Sequence, residues 1–253
     1  MGSINIIPVG SGSTGNSIYI EIEGHRFLID MGIGFKKIRD ALKLHERDMK
    51  DIEAIYLTHS HSDHIKSAPA IANNTSCPIY ADASHMYGIR KINAERLIMK
   101  AYETIDMGGM EVRMFYVPHD FVKTCGYTFF ANGRKVGFVT DCGLMNDTIL
   151  EELAGSDVVI IESNHDVEML KNGPYPRMLQ ERILSKYGHL SNADCADTIA
   201  KLYDTGTRNF LLAHISRNNN TPECALNETR QRMQDKDIFL YACPEEGNDL
   251  LSF

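Results

Sequence analysis

At 253 residues with 43% hydrophobic content, the chain is long enough to bury a substantial core, as one large domain or two small ones. A formal net charge of −8 argues against a protein that coats nucleic acid by bulk electrostatics, though not against a nuclease whose metal ions supply positive charge locally. The first residues carry no basic leader and no stretch reaches about eighteen apolar residues, while six cysteines lie scattered without a CxxC pair; a cytoplasmic protein with reduced thiols and no membrane segment is expected.

Ile4 to Val9 reads as a short apolar strand running into Gly10-Ser11-Gly12-Ser13-Thr14-Gly15-Asn16-Ser17. The amides of such a loop can meet an anion, but the lysine of a P-loop is absent and a plain turn between strands fits equally well. Ser17 to Glu23 alternates, with Ile18, Ile20 and Ile22 on one face, and returns through Gly24-His25 as a hairpin strand over Arg26 to Ile29. That strand stops on Asp30, a helix cap or a member of a site, before a helix over Lys36 to Lys43. The strand within Asp51 to Leu57 then delivers Thr58-His59-Ser60-His61-Ser62-Asp63-His64. Three imidazoles and a carboxylate packed this tightly would repel as imidazolium and leave lone pairs idle unless a divalent cation sits among them. His59 and His61 alternate on one side of an extended segment, whereas Asp63 and His64 begin the next element, so two adjacent metal positions are expected.

A helix over Lys66 to Asn73, a strand over Pro78 to Ala81 and an exposed helix over Tyr87 to Met99 follow, with no role for His85. Further strands then each end on metal-competent side chains: Glu111 to Val117 before His119, Arg134 to Val139 before Asp141, Asp157 to Ile161 before Glu162-Ser163-Asn164-His165-Asp166, and Asn209 to Ala213 before His214. Ligands gathered at the carboxyl ends of strands are how layered α/β enzymes build active sites. Cys142 follows Asp141 and points the other way in an extended chain, so it is not read as a ligand. A basic helix over Tyr175 to Lys186 precedes Gly188-His189-Leu190-Ser191-Asn192, where Ser191 or Asn192 caps a helix running to about Tyr203. His189, ahead of that helix, is either a phosphate contact or a solvated loop histidine. A helix over Pro222 to Gln234 and a strand over Ile238 to Ala242 complete the pattern, and with no repeat or linker a single domain over 1–253 is expected.

The His59-x-His61-x-Asp63-His64 motif, with His119, Asp141 and His214 at later strand ends, resembles the metallo-β-lactamase-fold hydrolases. The resemblance implies an α/β fold, an αβ/βα four-layer sandwich of two mixed sheets flanked by helices, with two divalent metal ions per chain. It implies that His59, His61 and His119 hold one metal, that Asp63, His64 and His214 hold the other, that Asp141 bridges them, and that Asp30 orients a ligand from behind. Zn²⁺, Mn²⁺ and Fe²⁺ all suit imidazole and carboxylate donors. The glycine-rich loop, Ser163 to Leu170 with Pro174-Tyr175-Pro176 after it, Gly188 to Asn192 and His214 to Asn220 are similar to the YycJ (WalJ) group, described as exonucleases acting on DNA from the 5′ end; Pro118 stands where many members carry a small hydroxyl residue. The leading expectation is a dinuclear phosphodiesterase acting on DNA or another phosphodiester. Asp63 and His189 are its catalytic candidates; Ser11, Ser13, Asn16, Asn164, His165, His189 and Ser191 are candidates for the substrate, and no obligatory protein partner or membrane is implied. Hydrolysis of a small cyclic or nucleotide phosphodiester, a thioester or a lactam is the alternative chemistry, and an inert metal-dependent binding module the non-enzymatic one.

Overall fold

The computed structural model describes residues 3–120 and 122–253; Met1 and Gly2, where the reading for a leader begins, lie outside the described residues. The strands are β1 (Ile4–Gly10), β2 (Ser17–Ile22), β3 (His25–Ile29), β4 (Ala54–Tyr56), β5 (Ile79–Asp82), β6 (Arg96–Met99), β7 (Thr104–Asp106), β8 (Met110–His119), β9 (Val122–Ala131), β10 (Arg134–Val139), β11 (Val158–Glu162), β12 (Asn209–Ala213), β13 (Phe239–Ala242) and β14 (Leu251–Ser252). The helices are α1 (Phe35–Leu44), α2 (Ser62–Ile65), α3 (Ala68–Asn74), α4 (Asp147–Leu153), α5 (Val167–Asn172), α6 (Arg177–Ile183), α7 (Asn192–Asp204) and α8 (Pro222–Met233). Two seven-stranded sheets result, in the orders β14-β1-β2-β3-β4-β5-β6 and β13-β12-β11-β10-β9-β8-β7. The chain divides into two compact units, the first holding the residues up to Met114 with Phe130–Arg134 and Pro244–Phe253, the second Phe115–Phe129 with Lys135–Cys243. No described helix is long and apolar enough to cross a membrane.

In the first unit β1, β2 and β3 pair antiparallel, with Ile6 opposite Ile20 and Ile18 opposite Ile29, and β3 to β6 continue parallel. The alternation of β2 suggests one wet face, yet all six of its residues are buried. Its polar side is satisfied internally: Tyr19 Oη donates to Glu21 Oε2 at 3.0 Å and Arg47 Nε donates to the same oxygen at 3.1 Å. Ile38 and Leu42, four residues apart on α1, and Ile71 of α3 enter one core with Leu28, Ile55 and Ile79 of the sheet. The expected helix over Tyr87 to Met99 is not formed. Residues 86–95 make turns, and Arg96–Met99 is an edge strand paired parallel with β5; pairing to a sheet edge overrides helix propensity here.

In the second unit β10, β11, β12 and β13 run parallel, with Val139 opposite Ile161 and Ile161 opposite Leu212. All five residues of β11 are buried, the continuous apolar run of a strand covered on both faces. Ile149 and Leu153 of α4, Ile199 and Leu202 of α7, and Ala225 and Met233 of α8 pack with these strands. Asn146, Asp166, Ser191 and Thr221 each cap a helix by accepting the backbone N–H three residues on, which fixes where the chain turns away from the strand ends. β9, α4 and α5 carry no clear periodicity in the sequence and are additions to the sequence reading.

Candidate metal centre

In the first unit the chain leaves the carboxyl ends of the parallel strands β3 and β4 at Asp30 and Thr58. Asp30 is buried and holds a left-handed backbone, φ 63°, a conformation that persists only where the surroundings enforce it. Its carboxylate accepts from Thr58 N at 2.9 Å, from Thr58 Oγ1 at 2.9 Å and from His64 Nδ1 at 2.7 Å. Because the single Thr58 hydroxyl proton goes to Asp30, Thr58 Oγ1 serves as acceptor for His59 Nδ1 at 3.0 Å. Both buried rings are thereby fixed with the proton on Nδ1 and the donor lone pair on Nε2, the arrangement in which a histidine ligates a metal. The His59 ring lies 4.4 Å from that of His61 and 4.1 Å from that of His64, centroid to centroid. Asp63, half-buried, lies in the first turn of α2 beside them.

In the second unit β8 ends on His119 and β11 on Glu162, while Asp141 lies two residues past β10 and His214 one residue past β12. Asp141 and His214 again adopt left-handed backbones, φ 52° and 55°. Asp141 Oδ1 lies 3.7 Å from His119 Nε2, 3.8 Å from His189 Nδ1 and 3.5 Å from His214 Nδ1. Asp141, Glu162, His189 and His214 bring one donor atom each within 4.8 Å of one another. Glu162 is nevertheless not placed as a ligand, because its lone pairs are filled: Oε2 accepts from Cys142 N at 2.9 Å and Leu190 N at 3.0 Å, Oε1 from His189 Nδ1 at 2.9 Å and His214 Nδ1 at 2.7 Å. Burial alone would raise this carboxyl, but the His189 and His214 rings hold it well below the usual carboxylate range. His119 donates Nδ1–H to Gly188 O at 2.9 Å, and burial lowers its pKa against the opposing pull of Asp141, so it too is neutral with Nε2 as donor. Neutral imidazoles fixed through Nδ1 beside a buried carboxylate are a donor set that fits a divalent cation.

The substrate candidates fare differently. Asn16 Nδ2 donates to Gly12 O at 3.0 Å and faces His64 Nε2 at 3.1 Å and Asp63 Oδ2 at 3.4 Å. Three of the loop amides are bonded within the protein: Gly12 N donates to Asn16 Oδ1, Gly15 N to Gly12 O and Asn16 N to Asp63 O. Ser11 is buried and Ser13 exposed. Asn164 Nδ2 donates to His214 O at 2.8 Å and so fixes the backbone of that residue. Ser191 Oγ is engaged as the cap of α7, accepting from Asp194 N at 3.1 Å and donating to Asp194 Oδ2 at 2.7 Å. His165 is buried, and burial lowers its pKa. His189 is half-buried, with its ring 4.8 Å from that of His119. The Cys142 thiol turns away from the cluster to Leu144 O at 3.3 Å, and burial pushes its pKa up. Sequence reading missed the orienting place of Glu162, and it missed the buried amides that tie two loops together: Asn192 Nδ2 donates to Asn220 Oδ1 at 2.9 Å, and Asn220 Nδ2 donates to Ser163 O at 2.9 Å.

Residues 25–215 match the model of the β-lactamase superfamily domain. The chain is 34% identical over 234 residues to an exodeoxyribonuclease YycJ of Bacillus anthracis, covering 90% of this chain and 88% of that protein. It is 33% identical over 224 residues to an exodeoxyribonuclease WalJ of Streptococcus pneumoniae, covering 86% and 83%. Among solved structures it is similar to the metallo-β-lactamase fold protein YhfI of Bacillus subtilis, with a TM-score of 0.76, 12% identity and 100% of both chains covered.

Proposed function

The chain belongs to the metallo-β-lactamase superfamily, in its YycJ/WalJ-like group, and is a metal-dependent hydrolase; from that premise we propose that it hydrolyses phosphodiester bonds in DNA, removing nucleotides from the 5′ end. In this reading His59, His61 and His119 would hold one divalent cation, Zn²⁺ or Mn²⁺, Asp63, His64 and His214 would hold a second, and Asp141 would serve both. Such ions supply a readily deprotonated water as nucleophile and offset charge on the phosphoryl oxygens. Asp63 would orient the attacking water. Six cysteines, all free of disulfides, support a reducing cytoplasm as its place of action.

The observation that carries the phosphodiester reading is the His189–Glu162 pair, 2.9 Å apart, with His189 Nδ1 also 3.8 Å from Asp141. Glu162 Oε1 accepts from His189 Nδ1 and so fixes the ring, leaving Nε2 as the atom that can meet a phosphoryl or leaving oxygen. His189 stands in none of the ligand assignments above, which leaves it for substrate. The names of the two curated relatives support DNA as that substrate. A chain with net charge −8 cannot rely on a broad basic surface, which supports recognition concentrated at one terminal phosphate.

The test is a time course on oligonucleotides labelled at either end. A 5′-phosphorylated strand should shorten from its 5′ end faster than the same strand with a 5′-hydroxyl. His189→Ala should erase most of that difference, while elemental analysis still approaches two metals per chain. Equal rates on the two ends, or products shortening from the 3′ end, would sink the terminal-phosphate reading and favour a small phosphodiester.

A further inference from the structure

Beside His189 the second unit holds a cavity of about 180 Å³ lined by Tyr175, Leu179, Ile183, Arg182, Asp120 and His189. Leu179 and Ile183 lie four residues apart on one face of α6 and make an apolar wall. Tyr175 supplies an aromatic one, set between Pro174 and Pro176, whose rings restrict the backbone, and tied by a hydrogen bond from Asn218 Nδ2 to its hydroxyl at 2.9 Å. Arg182 donates to both carboxylate oxygens of Asp120, through Nε to Oδ1 at 2.9 Å and through Nη2 to Oδ2, which fixes the plane of its guanidinium. Asp120 in turn is held by its backbone N–H, which donates to Tyr187 O at 2.9 Å.

A phosphate alone has no use for a tyrosine ring and two branched aliphatic side chains. A nucleobase does, because every base offers a π-face and base–aromatic stacking is worth about 1–3 kcal/mol per base. The cavity is small enough to admit one ring system and not a duplex. Its walls are preorganised, so little side-chain freedom is lost on binding. We propose that it is a nucleobase subsite, in which the base next to the scissile phosphate stacks on Tyr175 while the Arg182 guanidinium, oriented by Asp120, meets the adjoining backbone phosphate. The assignment rests on the phosphodiesterase reading of His189 and names what that site grips in a chain without a basic coat.

Titration calorimetry with thymidine 5′-monophosphate and with 2-deoxyribose 5-phosphate isolates the contribution of the base. The wild-type protein should bind the nucleotide about tenfold more tightly than the sugar phosphate, within the range of stacking contributions. Tyr175→Ala should bring that ratio close to one with little change for the sugar phosphate, and Tyr175→Phe should preserve it. Leu179→Glu, which puts a charge into the apolar wall from partly exposed α6, should lose the ratio as well and covers the case in which Tyr175→Ala does not fold. A wild-type ratio near one, or a ratio unchanged in Tyr175→Ala and Leu179→Glu, overturns the subsite. Binding needs no turnover, so failure of the wild type to degrade DNA would remove the nuclease reading and leave this ratio to be read separately.

Discussion

At Asp30 and at Glu162 a buried carboxylate ends a strand and takes the Nδ1 protons or hydroxyl protons that hold neighbouring imidazoles in place. The two sites solve the same problem in different units: a ring must keep its proton on Nδ1 to present Nε2 to a metal. Glu162→Gln tests this at the residue where the demand is greatest. The amide retains one acceptor oxygen but places an NH₂ group against N–H donors, either Cys142 N and Leu190 N or the two rings. Metal affinity or activity should fall by about 10–100-fold, read by metal titration alongside phosphodiester turnover; unchanged affinity and turnover would remove the orienting role. Asp141 and Glu162 are indistinguishable in the sequence, since each carboxylate closes an apolar strand. Only the count of donors around the second, four on two oxygens, separates the group that orients from the group that faces the imidazoles.

At the scale of elements, the glycine-rich segment after β1 is a brace for the metal-binding turn. Asn16 N donates to Asp63 O at 2.8 Å, Gly32 N to Asn16 O at 2.7 Å and Met31 N to His64 O at 2.7 Å, so the residue before β2 and the segment after β3 hold the backbone of α2 from behind. The contact is closed to any side chain at Gly32, where a Cβ would stand 1.6 Å from Asp63 O and 2.5 Å from Asn16 N. Gly32→Ala should therefore destabilise the fold by at least about 1–3 kcal/mol and weaken metal binding through a displaced Asp63. Urea unfolding and metal titration of the variant check this, and a midpoint equal to wild type would remove the brace. The strand ends at Asp30, His119, Asp141 and His214 were legible because an apolar run stopping on a metal-competent residue is a local pattern. The edge strand β6 and the long strand β9 were not. Arg96–Met99 is only partly covered and follows turns, and the pairing that makes it a strand comes from β5, whose sequence lies about fifteen residues earlier. For the glycine loop, composition cannot reveal that the Gly12, Gly15 and Asn16 amides are already bonded, and it left a plain turn and an anion site equally open.

For the whole molecule, the metallo-β-lactamase fold was readable from one dense motif and three spaced strand-end residues, and no linker in the sequence marks the two compact units. The first unit is discontinuous in the chain and is closed by Pro244–Phe253, where Ile4 N donates to Phe253 O at 3.1 Å and Phe253 N to Ile4 O at 2.9 Å. Removing residues 244–253 strips β14 from β1 and the Gly247 N donor from Val9 O. Hydrogen exchange should then show β1 and β2 losing protection while β11 and β12 keep theirs; equal loss in all four strands would mean that the units unfold as one. The same closure has a consequence for synthesis. A ribosome delivers the whole of the second unit before it delivers the strand that completes the first, so the nascent chain displays its histidine motif for the time needed to translate most of the remaining message. During that interval β1 lacks the partner strand β14 that completes its sheet.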